Sequence, residues 1–150
     1  MKRELEVASC NIIKVGVETN TPKGGDAGQG GRTTLTLQDM GGTDISCFWD
    51  VNTKKLEISL GGDSEYHTFR DCLKFAYLEL SRQNIKNDYE RLIKFLFSPQ
   101  SKVNEDFRKE QERRLELLRV EFNEVVRDLQ EFEAYHKQNS LWSINWPDVG

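Results

Sequence analysis

Lys54-Lys-Leu-Glu-Ile-Ser-Leu-Gly-Gly-Asp-Ser-Glu-Tyr-His-Thr-Phe-Arg-Asp-Cys-Leu-Lys-Phe-Ala-Tyr-Leu-Glu-Leu80 contains the change of period that decides the fold. Up to Leu60, the apolar residues Leu56, Ile58 and Leu60 alternate with Lys55, Glu57 and Ser59, as in a strand with one buried face. Beyond Gly61-Gly62-Asp63-Ser64, the residues Tyr66, Phe69, Leu73, Ala76, Tyr77 and Leu80 recur every three or four positions. That is the spacing of a helix laid over one face of a sheet, and a polar capping residue before Glu65 marks its start.

Upstream the period stays at two. Leu5, Val7, Ile13, Val15 and Val17 share odd positions from Glu4 to Val17, interrupted by Ser9 and Asn11, and this run reads as one strand. Arg32–Gln38 alternates Thr33, Leu35 and Leu37 against Thr34, Thr36 and Gln38, and its threonines favour the extended state. A third strand carries Ile45, Cys47, Trp49 and Val51 on one face, and Lys54–Leu60 is the fourth. Turn residues at Gly41-Gly42 and around Asn52 predict that the last three form an antiparallel meander.

Downstream a second apolar cluster, Tyr89, Leu92, Ile93, Phe95, Leu96 and Phe97, ends at Ser98-Pro99. No Gly or Pro separates it from the first helix, so the pattern leaves open whether it continues that helix or starts another. A long helix follows from about Val103 to about Lys137. Its residues Leu115, Leu118, Phe122, Val125, Leu129 and Phe132 alternate by three and four, and His136 extends this narrow, coiled-coil-like seam. At 1.5 Å per residue such a helix is about 50 Å long, and its seam pairs either with the preceding helix or with another copy of the chain. In the tail, Trp142, Ile144 and Trp146 share a face if the chain is extended, suited to a clasp on the same chain or to docking on another.

The expected fold is therefore α+β: an N-terminal antiparallel sheet of about four strands, then two or three helices, the last one long. Residues 1–98 read as the sheet-plus-helix domain, 99–138 as the long amphipathic helix, and 139–150 as an aromatic C-terminal tail.

The net charge of −4 argues against binding duplex nucleic acid, which needs clustered Lys and Arg. No apolar run approaches the 18 residues of a membrane span. Cys10, Cys47 and Cys72 form no C-x-x-C pair, so reduced cytosolic thiols are expected, and Cys72 reads as core filler. Acidic residues stand where a signal peptide needs its apolar core.

Ten of the eleven glycines lie at or before Gly62, and five fall between Gly24 and Gly31. Gly41-Gly42 and Gly61-Gly62 are accounted for by a turn and by the strand-to-helix switch. The surplus lies in Asn20-Thr-Pro-Lys-Gly-Gly-Asp-Ala-Gly-Gln-Gly-Gly-Arg-Thr33. Glycines let consecutive backbone N–H groups converge on an anion, so Gly24, Gly25, Gly28, Gly30 and Gly31 suit a phosphate or carboxylate nest. Lys23 and Arg32 supply positive charge, and Asp26 and Thr33 supply groups for hydroxyl recognition. The alternative is a merely flexible connection. No Gly-Lys-Ser/Thr ends the loop and a strand follows it, so it is neither a P-loop nor a dinucleotide fingerprint. Arg113, Arg114 and Arg119 on the long helix are second-tier anion contacts, or else surface charges.

The string from Asn20 to Thr33, with Leu60-Gly-Gly-Asp63 before a helix, resembles one found in short proteins of bacteria and their phages. That resemblance covers about the first 80 residues and carries no catalytic set; together with the reduced thiols and acidic N-terminus it leads to the expectation of a cytoplasmic location in a bacterial host. The architecture of a small sheet with long helices also resembles phage anti-defence proteins that sequester nucleotide immune signals.

No cofactor or metal is expected, since His67 and His136 lie outside any metalloenzyme spacing and Cys72 and His67 fall on poorly matched helix faces. The favoured expectation is a non-enzymatic, homo-oligomeric binding protein that holds a small anionic, nucleotide-like ligand at the Gly-rich loop. The alternative is a protein-interaction module that meets a host protein through its long helix and its Trp142/Trp146 tail.

Overall fold

The computed structural model describes residues 1–8, 11–20, 30–102 and 104–143, the last four of these as backbone alone. Five strands precede two helices: β1 (Lys2–Ala8), β2 (Ile12–Thr19), β3 (Thr33–Gly41), β4 (Ile45–Asp50), β5 (Lys55–Leu60), α1 (Asp63–Leu96) and α2 (Glu105–Ser143). The fold is α+β.

The strands form two antiparallel sheets, β1-β2-β3 and β4-β5. The run read as one strand from Glu4 to Val17 is a hairpin, in which Leu5 pairs with Val15 and Val7 with Ile13. This register puts both apolar sets on one face, where Leu5, Val7, Ile13, Val15 and Val17 are buried. β3 does not pair with β4 as a meander would require. It returns to β2, with Leu35 opposite Val17 and Leu37 opposite Val15, and so continues the apolar face. β4 and β5 form their own hairpin, Cys47 opposite Ile58 and Trp49 opposite Leu56.

The Gly61-Gly62 switch falls where the sequence puts it. Gly62, with φ 129°, is the N-cap of α1 and no side chain caps the helix. Glycine is required here, because an L side chain rarely adopts that φ. Asp63 and Glu65 lie in the first turn, where negative charge suits the helix dipole.

The cluster Tyr89–Phe97 continues α1, which runs 34 residues. A 3₁₀ turn at Pro99–Lys102 reverses the chain, and buried Ser101 closes it by donating from Oγ to the carbonyls of Leu96 (2.8 Å) and Ser98 (2.9 Å). α2 then returns along α1. Its backbone stays helical through Ser143, so the first five residues of the segment read as a tail extend the helix.

One core joins the layers: Leu5, Val7, Ile13, Val15 and Val17 from the sheet, Cys72, Phe75, Ala76 and Leu78 from α1, and Leu129 and Phe132 from α2. At roughly 2 kcal/mol for each fully buried large apolar side chain, this cluster is the principal stabilising term. The seam of α2 is taken up by its own chain. Leu129, Phe132 and His136 are buried, Val125 packs against the core, and Leu115, Leu118 and Phe122 are half-buried.

α1 meets the sheet with a different face from the one its most apolar stripe suggests. Thr68, Cys72, Phe75 and Glu79 are fully buried, whereas Tyr66, Leu73, Tyr77 and Leu80 are exposed. Two of the inward residues are polar and draw partners from elsewhere. Thr68 Oγ1 donates to Asn11 Oδ1. The Glu79 carboxylate accepts from Arg82 Nη2 (2.6 Å), Gln83 Nε2 (2.8 Å) and Arg3 Nη1 (3.3 Å).

Candidate functional site

The Gly-rich connection leaves β2 after Thr19 and enters β3 at Thr33. Of its predicted ligand residues, Lys23, Gly24, Gly25, Asp26 and Gly28 lie outside the described residues, while Gly30, Gly31, Arg32 and Thr33 lie within them. The described part is the neck, and Asn20 organises it. Its backbone N–H donates to the Arg32 carbonyl (3.2 Å), its Oδ1 accepts from the Arg32 N–H (2.8 Å), and its Nδ2 donates to the Gly30 carbonyl (3.0 Å). One side chain therefore fastens both sides of the neck through a donor and an acceptor.

Below it, the Thr19 and Thr33 hydroxyls lie 2.9 Å apart, and Thr19 Oγ1 also donates to the Arg32 carbonyl at 3.3 Å. Gly30 has φ +83° and open space where a Cβ would stand, so its strain is one of backbone rather than of crowding. Arg32 is exposed, and its Nη1 reaches only the Gly31 carbonyl, at 3.5 Å. Among the described residues no carboxylate pairs with it, which leaves the guanidinium available for a bidentate anion contact.

The three α2 arginines expected as second-tier anion contacts, Arg113, Arg114 and Arg119, lie elsewhere. Arg113 pairs with Glu110 and Arg119 with Glu116, each at 3.7 Å and each largely exposed. Arg119 borders a cleft of about 340 Å³ with Lys86, Tyr89, Glu90 and Phe122. Arg114 borders another of about 320 Å³ between Asp88, Arg91 and Phe107. Both clefts lie between the helices in the half of the helical hairpin beyond the core cluster. The interface residues on the long helix face α1 and the sheet as described above. The side chain of Trp142 and all of Trp146 lie outside the described residues.

Sequence reasoning assigned no role to Asn20. Its signal is an amide residue at a strand end just before Thr-Pro, a position suited to bonding the backbone across a loop mouth. Equally unforeseen is the exposure of the β4–β5 hairpin, where Phe48 is 61%, Trp49 54% and Leu56 58% exposed.

Among the described residues no group of three His, Cys, Asp or Glu side chains is placed to hold a metal, and no helix is long and apolar enough to cross a membrane. No protein-family model matches the chain, and no curated protein or solved structure matches it.

Proposed function

We propose that the chain is a non-enzymatic binding protein of a bacterium or its phage, holding a small anionic, nucleotide-like ligand at the Gly24–Gly31 loop. The observation that carries this reading is the neck. Asn20 fixes the positions of Gly30 and Arg32 with two side-chain hydrogen bonds, and the Arg32 guanidinium has no carboxylate partner among the described residues. A pre-formed neck lowers the ordering cost that a ligand must offset. The glycines above it supply N–H groups that a bound anion could gather, and Lys23 adds charge. Sequestration of a nucleotide signal in the host cytoplasm needs no chemistry beyond such binding, which fits an anti-defence role.

Calorimetric titration with inorganic phosphate and a panel of linear and cyclic nucleotides tests the proposal. Saturable binding of at least one nucleotide is expected, weakened tenfold or more by Arg32→Ala. Absence of binding across the panel, or equal binding by the variant, refutes it.

A second reading is favoured by one observation, the exposed Phe48, Trp49 and Leu56 of the β4–β5 hairpin. Solvent-exposed aromatic residues on a two-stranded hairpin suit contact with a host protein. A pull-down from host lysate that is lost on Trp49→Ala, but unchanged by Arg32→Ala, would favour this interaction module over the ligand site.

A further inference from the structure

The helical layer leaves one strand of the sheet without a helix over it among the described residues. α2 packs on β1, and α1 packs on β2 and β1. The position over β3, the third strand of the sheet, holds no helix among the described residues, and Leu35 on its inner face is 48% exposed. On α1, the residues Tyr66, Phe69, Leu73, Ala76 and Leu80 form a stripe spaced by three and four. At 100° per residue the stripe lies on the flank opposite Leu78, Ile85 and Leu92, buried residues set to one side of the sheet-facing Thr68, Cys72 and Phe75, and α2 is the element packed along α1 that can cover them. It therefore overlooks β3. Tyr66 (56%), Leu73 (45%) and Leu80 (38%) are exposed there.

β3 is also an edge. Asn20 N–H bonds to the Arg32 carbonyl, so even-numbered residues of β3 face β2 with their backbone groups. The N–H and C=O groups of Thr33, Leu35, Leu37 and Asp39 consequently point outward. The strand is nine residues long and contains no lysine and no proline, the usual devices that blunt an edge.

We propose that this edge and flank bind a second copy of the chain, β3 pairing antiparallel with its counterpart across a two-fold axis at Thr36. The strand is complementary to itself in that register. Leu35 meets Leu37 of the second copy, Thr33 meets Asp39, Thr34 meets Gln38, and no like charges oppose one another. All four outward-facing residues fall in hydrogen-bonded pairs, and Leu35 and Leu37 remain on the core face. The result is a six-stranded sheet, β1-β2-β3-β3-β2-β1, carrying four helices on one face.

The two α1 helices, each over β2, then stand about three strand spacings apart, or roughly 14 Å. Closely packed helices sit at about 8–10 Å, so the gap takes large side chains from both sides, and Leu73 and Leu80 supply them. The nine residues of β3 with Tyr66, Phe69, Leu73 and Leu80 make thirteen per copy. At roughly 35 Å² each they bury on the order of 900 Å² in total, close to the lower bound of a specific interface. This inference is independent of any ligand at the loop.

Light scattering on the purified full chain is expected to give twice the 17.4 kDa chain mass, falling to a single chain in Leu35→Lys with an unchanged far-ultraviolet dichroism spectrum. Thr36→Cys reads the register directly. Residues on the axis form a non-hydrogen-bonded pair with Cα atoms about 4.5 Å apart, within disulfide reach. In a Cys10→Ser/Cys47→Ser background, which leaves only the buried Cys72 thiol, Thr36→Cys is expected to oxidise to a covalent dimer while Thr34→Cys is not. A monomeric wild type, a dimer that survives Leu35→Lys in folded form, or a dimer in which Thr36→Cys fails to cross-link overturns the proposal. If Leu35→Lys does not fold, the cross-link alone decides.

Discussion

Asn20 and Arg32 hold each other twice, the Asn20 N–H donating to the Arg32 carbonyl at 3.2 Å and the Arg32 N–H donating to Asn20 Oδ1 at 2.8 Å. The second bond, and a third from Nδ2 to the Gly30 carbonyl, depend on the side chain alone. Asn20→Ala removes both. The groups are exposed and water replaces the lost partners, so stability should fall by only about 1 kcal/mol, read as a lower urea midpoint. Nucleotide affinity should fall more than stability does, because Gly30 and Arg32 lose their fixed positions. A variant with native affinity would show that the clamp is irrelevant to binding.

Glu79 predicts a pH dependence in the acid range. Burial opposes its charge, yet hydrogen bonds from Arg82 and Gln83 and the charges of Arg82 and Arg3 outweigh burial and hold its pKa below the ordinary 4.5. A depressed carboxylate pKa stabilises the fold above the unfolded value, and the contribution is lost as pH falls through the folded one. Glu79→Ala, which leaves Arg82 and Arg3 facing a vacated buried site, should cost about 3 kcal/mol at neutral pH. The gap to wild type should close below about pH 4.5. A gap of constant size would contradict the ion network.

His136 acts in a higher window. Burial lowers its pKa from 6.5, against the charge of Asp71, whose Oδ2 lies 3.5 Å from Nε2, and the Ala8 carbonyl, while Lys74 adds to the lowering. The folded state thus binds the proton less readily than the unfolded one. Wild-type stability should be full above pH 6.5 and decline as pH falls below it. His136→Leu should flatten that decline without touching the loss below pH 4.5. Denaturation midpoints measured from pH 4 to 8 separate the two, and an unchanged slope in the variant would remove His136 as its source.

Cys72 is fully buried, and burial, reinforced by the charge of Asp71, pushes its thiol up to about 12. Cys47 is exposed. A thiol reagent at mildly alkaline pH should label Cys47 within minutes and Cys72 only on unfolding, as mapped by peptide mass spectrometry. Prompt labelling of Cys72 would contradict its place in the core.

Local signals were legible where one residue type leaves few options. The switch at Gly61-Gly62 and the stop at Ser98-Pro99 are of that kind. The hairpin inside Glu4–Val17 was hidden because no Gly or Pro marks its turn, and the apolar residues keep the same odd phase on either side of Ser9 and Asn11, so the turn looks like two polar interruptions of one strand. The partner of β3 was misread for a different reason. Gly41-Gly42 has the chemistry of a tight turn, but only beside Val15 does Leu37 pack against the core, with Leu35 continuing the apolar face beside Val17. Likewise Thr68 and Glu79 look like solvent-facing residues of α1. Their partners Asn11 and Arg3 lie 57 and 76 positions away, beyond any helical period. At the site, the glycine surplus was visible, and the clamp was not, since it depends on Asn20 and Arg32 meeting across the neck.

Amide chemical shifts in a ¹⁵N-labelled sample, titrated with the nucleotide that gives the strongest calorimetric signal, report whether an anion is held at this neck. The largest perturbations are expected on the amides of Asn20, Gly30, Gly31, Arg32 and Thr33 together with the loop glycines, and are expected to vanish in Arg32→Ala. Perturbations centred instead on Lys86, Tyr89 and Arg119, or on the β4–β5 hairpin, with the neck unmoved, would contradict an anion site there.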